Sequence, residues 1–408
     1  MTPTCRICET AIEPFMSFGK MPIANGFLTP EDFATEYFFE LKPGFCENCS
    51  TLQILEQPDP EKMFHENYAF FSRTSKRMAI HFQSYADWVK EKYLTSADPF
   101  VVEIGSNDGL MMEFFAKDNI RHLGVEPSAN VAEKARSYGV ETLCSFFNLE
   151  AAEKIVSEKG SADALIAANV MCHIPDLHGV AKGADHLLTP KGVLIFEEPY
   201  LGDMIENTAY DQIYDEHVFI FSARSVQNIF GRYDFELVDV KPQSTHGGSM
   251  RYVLARKGKW PVSPSVETQL LYENKKGLHL KATYEVFRDK CEESRASLVN
   301  ILQQQKDAGR RIVGYAATSK STTVLNYCNI GPDLIEFISD TTPIKQGKFS
   351  PGVHIPVLSY ETLRDGYPDG FLLFAWNHKA EIMEKESSFM EAGGEWITYV
   401  PQVDIIRK

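Results

Sequence analysis

Eight residues from Tyr210 to His217, reading Tyr-Asp-Gln-Ile-Tyr-Asp-Glu-His, hold two phenols, three carboxylates and an imidazole. That density suits proton transfer. A histidine beside a carboxylate can have its acidity and tautomer set by its neighbour, and a tyrosine can hydrogen-bond a developing oxyanion. The plainer alternative is a polar helix face with His217 as a satisfied core histidine.

A second chemical signal lies near the N-terminus. Cys5-Arg6-Ile7-Cys8 and Cys46-Glu47-Asn48-Cys49 are two C-x-x-C pairs separated by thirty-seven residues. Each pair can present two thiolates on one side of a turn, and Cys5, Cys8, Cys46 and Cys49 together make a tetrahedral zinc site. The site would be closed and structural. A redox dithiol is the competing reading.

The element that must position a reaction is the stretch from Val101 to Gly109, Val-Val-Glu-Ile-Gly-Ser-Asn-Asp-Gly, followed by Leu110-Met111-Met112-Glu113. It reads as strand, glycine loop and helix. A side chain at Gly105 would block close approach of a ligand to the backbone, while Glu103, Asn107 and Asp108 line the turn. The loop has neither the G-x-G-x-x-G spacing of a dinucleotide site nor the Gly-Lys-Ser/Thr ending of a phosphate loop. A ligand without phosphates fits better, and S-adenosylmethionine is the candidate.

Strands and helices alternate onward to about Arg256. His122 to Glu126 is a second strand ending in an acid, which can accept both ribose hydroxyls, and Pro127 follows it. Glu141 to Cys144 is a third strand. Phe146 and Phe147 come next, where an apolar contact for adenine is expected, although Ser145 stands where such sites often carry an acid. Asp163 to Asn169 is a fourth strand, with Asn169 at the ligand edge, and Gly192 to Tyr200 is a fifth. The aromatic and polar run from Met63 to Ser72 reads as a packing loop or a cleft lining. From Ser75 to Leu94 helical spacing of Met78, Phe82, Tyr85, Ala86 and Val89 predicts an amphipathic helix.

The 408-residue chain carries a formal net charge of −15, which argues against nucleic acid or an anionic membrane as partner. No apolar run is long enough to span a bilayer, and the N-terminus has neither a basic leader nor a hydrophobic segment. A cytoplasmic protein is expected, and nothing demands more than a monomer.

These motifs come together in one resemblance, which extends over nearly the whole chain. The cysteine pairs, the Gly-Ser-Asn-Asp-Gly loop and Cys172-His173-Ile174-Pro175 belong to it. So do Glu198-Pro199-Tyr200-Leu201-Gly202-Asp203, Tyr214-Asp215-Glu216-His217, His246-Gly247-Gly248 and Phe374-Ala375-Trp376-Asn377-His378. The chain resembles the S-adenosylmethionine-dependent sugar 3-C-methyltransferases of branched deoxysugar biosynthesis, as in the tetronitrose, mycarose and virenose pathways. The resemblance implies a nucleotide-linked 4-keto-6-deoxysugar as substrate, carried on thymidine or guanosine diphosphate. It implies His217 as the base, with Glu216 orienting it or holding substrate, Tyr214 and Tyr68 on the sugar and its oxyanion, and His173 near the reacting carbons. Glu216, Tyr68 and His173 remain alternatives for the base. Tyr200 and His246 are candidate substrate contacts.

In the C-terminal third, residues 261–308 should form a long helix or a helical pair. Arg311 to Ser321 is another strand, loop and helix, in which Tyr315, the helix start and Lys320 would suit a diphosphate; a packing turn is the alternative. Related sequences often have glycine where Ala316 stands. Phe371 to His378 reads as a buried strand with Asn377 as a sugar-nucleotide contact, and Trp396 to Val400 as the last strand.

The expected architecture is α/β. A zinc-binding module over residues 1–75 precedes a class I methyltransferase core over 76–256 and a Rossmann-like domain over 257–408. Two rival functions stand beside the C-methyltransferase: an O- or N-methyltransferase of a nucleotide sugar, and a zinc-dependent scaffold retaining a cofactor fold.

Overall fold

A computed structural model describes residues 3–59, 72–74 and 76–408. In the N-terminal part β1 (Lys20–Pro22) pairs with β2 (Phe38–Glu40), and β3 (Pro43–Cys46) pairs with β4 (Thr51–Ile54), both antiparallel. The β3–β4 ribbon turns through the second cysteine pair, with Cys46 opposite Thr51.

With the two small N-terminal sheets counted together as the first, the second sheet is built from β5 (Phe100–Ile104), β6 (Arg121–Val125), β7 (Thr142–Leu143), β8 (Ala162–Ala168) and β9 (Leu188–Pro199). A further short strand, β10 (Phe219–Ile220), does not join it; β11 (Phe235–Gln243) and β12 (Ser249–Arg256) do. The order is β11-β12-β9-β8-β5-β6-β7, parallel except that β12 runs antiparallel to both β9 and β11. This is the class I methyltransferase arrangement. β5 is buried at all five positions because helices cover both faces, which is why its sequence is a continuous apolar run broken only by Glu103. α1 (Lys76–Tyr93) matches the expected amphipathic helix, and α2 (Leu110–Ala116) follows the β5 loop. The chain order reverses between β5 and β8, which places a ligand crevice at their carboxyl ends.

β10 instead pairs antiparallel with β4, Phe219 opposite Gln53 and Ile220 opposite Leu52, and the Ile54 N–H donates to the Val218 carbonyl at 2.9 Å. The cysteine ribbon is therefore stitched to the segment immediately after His217. No local pattern in the sequence announces this link, because a two-residue strand carries no periodicity.

After α3 (Ala129–Ser137), α4 (Leu149–Lys159), α5 (Leu177–Leu187), α6 (Leu201–Glu206) and α7 (Ala223–Phe230), residues 261–308 form a helical pair, α8 (Pro264–Lys275) and α9 (Lys281–Asp307). The third sheet holds β13 (Ile312–Tyr315), β14 (Ile338–Asp340), β15 (Val357–Ser359), β16 (Gly370–Leu373), β17 (Glu395–Thr398) and β18 (Asp404–Ile406) in the order β15-β14-β13-β16-β17-β18. All pairs are parallel except β17–β18. Two expectations need correcting here: the strand read over Trp396 to Val400 ends at Thr398 as β17 and is not the last, because β18 follows and pairs with it. The strand read over Phe371 to His378 stops at Leu373, and Trp376 to His378 is a helical turn, because pairing with β13 ends at Tyr315 and the Trp376 indole leaves the sheet to reach Asp211.

The three parts share a core. Phe45 stacks on Tyr284 of α9 at 4.1 Å, and Phe18 lies 4.8 Å from the Tyr327 ring, at the end of α10 (Ser319–Tyr327), and 6.4 Å from Tyr210. Aromatic pairs of this kind contribute about 0.5–1.5 kcal/mol each beyond burial. Among the described residues no helix is long and apolar enough to cross a membrane.

Candidate active site

A cavity of about 330 Å³ opens at the carboxyl ends of β5, β6, β7 and β8. Gly105, Asn107, Glu126, Pro127, Phe146, Phe147, Asn169, His173 and His246 all border it. Gly105 has φ +62°, and a Cβ there would meet Val170 Cγ2 at 2.1 Å, so the glycine admits the neighbouring loop as much as any ligand. The Glu126 carboxylate is held from two sides: the Asn107 N–H donates to Oε2 at 3.0 Å and the Ser128 N–H to Oε1 at 2.9 Å. Its remaining lone pairs can accept ribose hydroxyls. Burial pushes its pKa above the usual carboxylate range, and the two backbone donors oppose that shift.

Glu103 and Asp108 stand beneath this wall rather than in it. Burial, with Asp108 and Glu126 nearby, pushes Glu103 well above the usual carboxylate range, while Asp108 accepts the Arg73 N–H at 3.0 Å. The fit to S-adenosylmethionine rests on the apolar walls, the braced carboxylate and the buried Asn169 Oδ1. Asn169 Oδ1 and His246 Nε2 have no hydrogen-bond partner among the described residues.

Tyr210–Gln212 is a helical turn followed by irregular chain, so the polar helix face is excluded. The carboxylates then divide their work. Asp211 Oδ2 accepts from Trp376 Nε1 and the Tyr399 hydroxyl, both at 2.7 Å, and so ties the segment to the third sheet. Asp215 accepts the Ala24 N–H at 3.1 Å, and Glu216 accepts Asn25 Nδ2 at 2.7 Å. His217 Nδ1 lies 2.7 Å from the Gln212 carbonyl and Nε2 lies 2.7 Å from the Tyr214 hydroxyl. A carbonyl can only accept, so Nδ1 carries the proton and Nε2 is the basic nitrogen, receiving the phenol's hydrogen. Burial, then the adjacent His173, holds His217 well below the usual imidazole range. The His173 and His217 rings stack at 5.4 Å, and burial lowers His173 to about 4.

His246 adopts φ +54°, between Thr245 and the Gly247 turn. Gly247 is required there: a Cβ would meet the Trp376 ring at 2.2 Å. Burial, then Lys320, lowers His246 to about 4. Three partners of this region escaped the sequence reading. Gln212 gives its carbonyl to His217 and its side-chain Nε2 to the His246 carbonyl at 2.9 Å. Glu197, fully buried, takes His81 at 2.6 Å, Thr245 at 3.1 Å and Arg251 through two bonds at 2.7 and 3.0 Å. The buried acid next to Glu198 at the end of β9 was the available signal. Asn25 offered none.

Other candidates lie elsewhere. The Tyr200 hydroxyl donates to Glu273 at 3.1 Å and accepts from Gln269 at 2.7 Å, away from the cavity, but its N–H supports the Gly248 carbonyl at 3.1 Å. Tyr315 borders a second cavity of about 490 Å³ at the carboxyl ends of β13 and β14, and its hydroxyl donates to Glu386 at 2.8 Å. Two amides near the start of α10 are already engaged, Ala317 by Asp340 and Ser321 by Thr318, each a backbone N–H that a diphosphate would have wanted. Lys320 keeps its offer: Nζ is buried, has no hydrogen-bond partner among the described residues, and sits 4.5 Å above the Trp376 ring. Asn377 lies in the turn Trp376 to His378, half-buried. Tyr68 falls outside the described residues.

At the N-terminus, Cys5 and Cys49 sulfurs lie 3.5 Å apart, Cys8 and Cys46 sulfurs 3.4 Å apart, and all four fall within 4.8 Å of one another. Thiolates 2.3 Å from a tetrahedral zinc stand about 3.8 Å apart. Burial pushes Cys46 up to about 11, whereas the hydrogen bond from Cys49 lowers Cys5 to about 4. Four sulfurs this close cannot all ionise without a cation, and zinc fits the donor set.

Known proteins bear on these sites. A C-methyltransferase C-terminal domain model matches residues 244–401, a methyltransferase domain model residues 77–240, and a zinc binding domain model residues 5–64. C-methyltransferase NovU of Streptomyces niveus is 33% identical over 405 residues, 98% of this chain and 96% of its own. Among solved structures, a SAM-dependent methyltransferase of Anabaena variabilis is 17% identical with a TM-score of 0.36, over 44% of this chain and 86% of its own. Magnesium protoporphyrin IX methyltransferase of Synechocystis, solved with bound SAM, is 14% identical with a TM-score of 0.33, over 48% and 89%.

Proposed function

This chain belongs to the S-adenosylmethionine-dependent C-methyltransferase family, and from that premise we propose that it methylates carbon 3 of a nucleotide-linked 4-keto-6-deoxysugar through an enolate. The observation that carries the reading is the run of hydrogen bonds from the Gln212 carbonyl through His217 to the Tyr214 hydroxyl, beside the cofactor cavity. It gives the site one buried basic nitrogen with a phenol at hand.

Carbon 3 lies next to the ketone, so its hydrogen is acidic. His217 Nε2 takes that proton as the C–H electron pair forms the bond between carbons 3 and 4, and the carbonyl pair moves to oxygen 4. The cofactor supplies an electrophilic methyl group. Carbon 3 would take it as the cofactor's sulfur kept the electron pair of the broken S–CH3 bond; the ketone reforms, and His217 returns its proton to solvent. An imidazolium is disfavoured where His217 is buried, so the base needs an anion beside it, and the enolate is that anion. Tyr214 and Tyr68 donate to oxygen 4, His173 packs beside the reacting carbons, and Glu216, braced by Asn25, orients the sugar.

His246 contacts the sugar with its Nε2, which has no hydrogen-bond partner among the described residues. Lys320, Tyr315 and Asn377 serve the nucleotide, with Lys320 as the cation for a thymidine or guanosine diphosphate. Tyr200 acts on substrate through the turn that carries His246.

Mass spectrometry after incubation with S-adenosylmethionine and thymidine- or guanosine-linked 4-keto-6-deoxysugars in deuterated water tests this. One methyl group gained on carbon 3, with solvent deuterium entering carbon 3 of the substrate left unmethylated, is the expected result and identifies the nucleotide. A methyl group on oxygen or nitrogen without exchange would overturn it.

A further inference from the structure

Cys172 and His173 follow one another in the helical turn Met171–His173, and His217 approaches them from the segment before β10. One ligand atom from each, a thiol sulfur and two imidazole nitrogens, fall within 4.8 Å of one another. A soft sulfur with two imidazoles is the donor set of zinc and its neighbours in the transition series, and not of magnesium or calcium, which take oxygen. Donors on a tetrahedral ion stand roughly 3.3–3.8 Å apart, so small side-chain rotations of these three close the site.

The surroundings favour a metal as well. A histidine ligand commonly donates its other ring N–H to a backbone carbonyl, which fixes the ring. His217 already does so, through Nδ1 to Gln212 at 2.7 Å, which leaves Nε2, now on the Tyr214 hydroxyl, as its nitrogen for a metal. His173 also borders the cofactor cavity, which is the entry path. Cys172 is 1% exposed and has no part in the methyl-transfer chemistry set out above.

We propose that the catalytic pocket contains a second, inhibitory transition-metal site formed by Cys172, His173 and His217, which takes Zn²⁺ or Co²⁺ and withdraws the base. On binding, the ion forms bonds to the Cys172 sulfur and to one nitrogen of each histidine. The thiol releases one proton to the buffer, and the Tyr214 hydroxyl gives up its contact with His217 Nε2. No electron changes hands. The binding stands on the cluster alone; the loss of activity rests on His217 as the base.

The test adds Co²⁺ to zinc-loaded enzyme and follows the absorption spectrum together with methyl transfer. The expected result is one further equivalent of cobalt with a thiolate-to-cobalt charge-transfer band, activity lost in step with that band, and both reversed by a chelator too weak to strip the four-cysteine site. Cys172→Ala should keep its metal-free activity, lose the band and resist inhibition by at least about tenfold; Cys172→Ser, which keeps the volume, should behave in the same way. His217→Asn should weaken the band whatever its activity, so a band that fades there while activity in the wild type is untouched by cobalt would leave the site standing and remove its inhibitory role. A band of equal strength in Cys172→Ala would assign the cobalt to the four cysteines and overturn the proposal. Equal inhibition of Cys172→Ala and wild type would do the same.

Discussion

The second and third sheets repeat one device at their carboxyl edges. After β5 the chain turns through Gly105 at φ +62°, and its N–H donates to the Val125 carbonyl at the end of the neighbouring strand; after β13 it turns through Ala316 at φ +72°, whose N–H donates to the Ser339 carbonyl. In each case an acid at the end of that neighbouring strand takes backbone N–H groups from two sides: Glu126 from Asn107 and Ser128, Asp340 from Ala317 and Thr342. The walls differ. Phe146, Phe147, Met78, Phe82 and Val125 face the first cavity, whereas Arg77, Lys385, Glu381 and His378 face the second. The same backbone cradle thus borders an apolar pocket in one sheet and a charged pocket in the other, and the buried imidazoles of His173, His217 and His246 gather at the first.

If the chemistry belongs to the first edge alone, its base should be removable without disturbing either cradle. His217→Asn should lower methyl transfer by at least about a hundredfold, within the ~10²–10⁴ range of general bases, while S-adenosylmethionine binding measured by calorimetry stays as in the wild type. Retained activity would shift the base to His173, Glu216 or Tyr68.

The two acids offer the next contrast. Glu126→Gln should weaken S-adenosylmethionine binding by roughly tenfold to a hundredfold, the effect of losing hydrogen bonds to a charged acceptor at about 1.5–3 kcal/mol. Asp340→Asn should leave that affinity alone and raise KM for the nucleotide sugar. Equal effects of both changes on cofactor binding would dissolve the distinction between the cradles.

Much of the first edge was legible in the sequence, and the reason is local. The strand, glycine and acid of the β5 loop, the position of Glu126 and the cysteine pairs are set by spacings of a few tens of residues, and each spacing has a geometric meaning. Asp211 is the opposite case. It looked like part of a proton-transfer array, yet it joins Trp376 and Tyr399, partners 165 and 188 residues away. That His81 and Arg251 meet Glu197 was invisible for the same reason. A carboxylate's sequence neighbours say that it is acidic, but tertiary packing decides which cation or N–H it meets.

Acid should unfold the first edge before the second. His173 and His246 are lowered by burial to about 4, against about 6.5 for a free imidazole, so the unfolded chain binds more protons between those values. The stability they contribute is complete above about pH 6.5 and is lost as the pH falls towards 4. The melting temperature should therefore drop across that interval, and His246→Gln should flatten the slope. A slope unchanged in that variant would place the acid sensitivity elsewhere.

The smallest expected effect tests the cradle itself. Ala316 holds a left-handed backbone that costs a residue with a Cβ roughly 1–2 kcal/mol, whereas Gly105 meets the same demand without that cost. Ala316→Gly removes the strain but adds freedom to the unfolded chain, which takes back about 0.4–1 kcal/mol. Thermal unfolding should then show a gain of between about 0 and about 1.6 kcal/mol, with cofactor affinity and methyl transfer unchanged. The converse change at Gly105 has no such latitude, since its Cβ would lie 2.1 Å from Val170 Cγ2. A clear loss of stability in Ala316→Gly would mean that the Ala316 methyl group is held by packing in the third sheet, and that the two turns share a backbone path without sharing the reason for it.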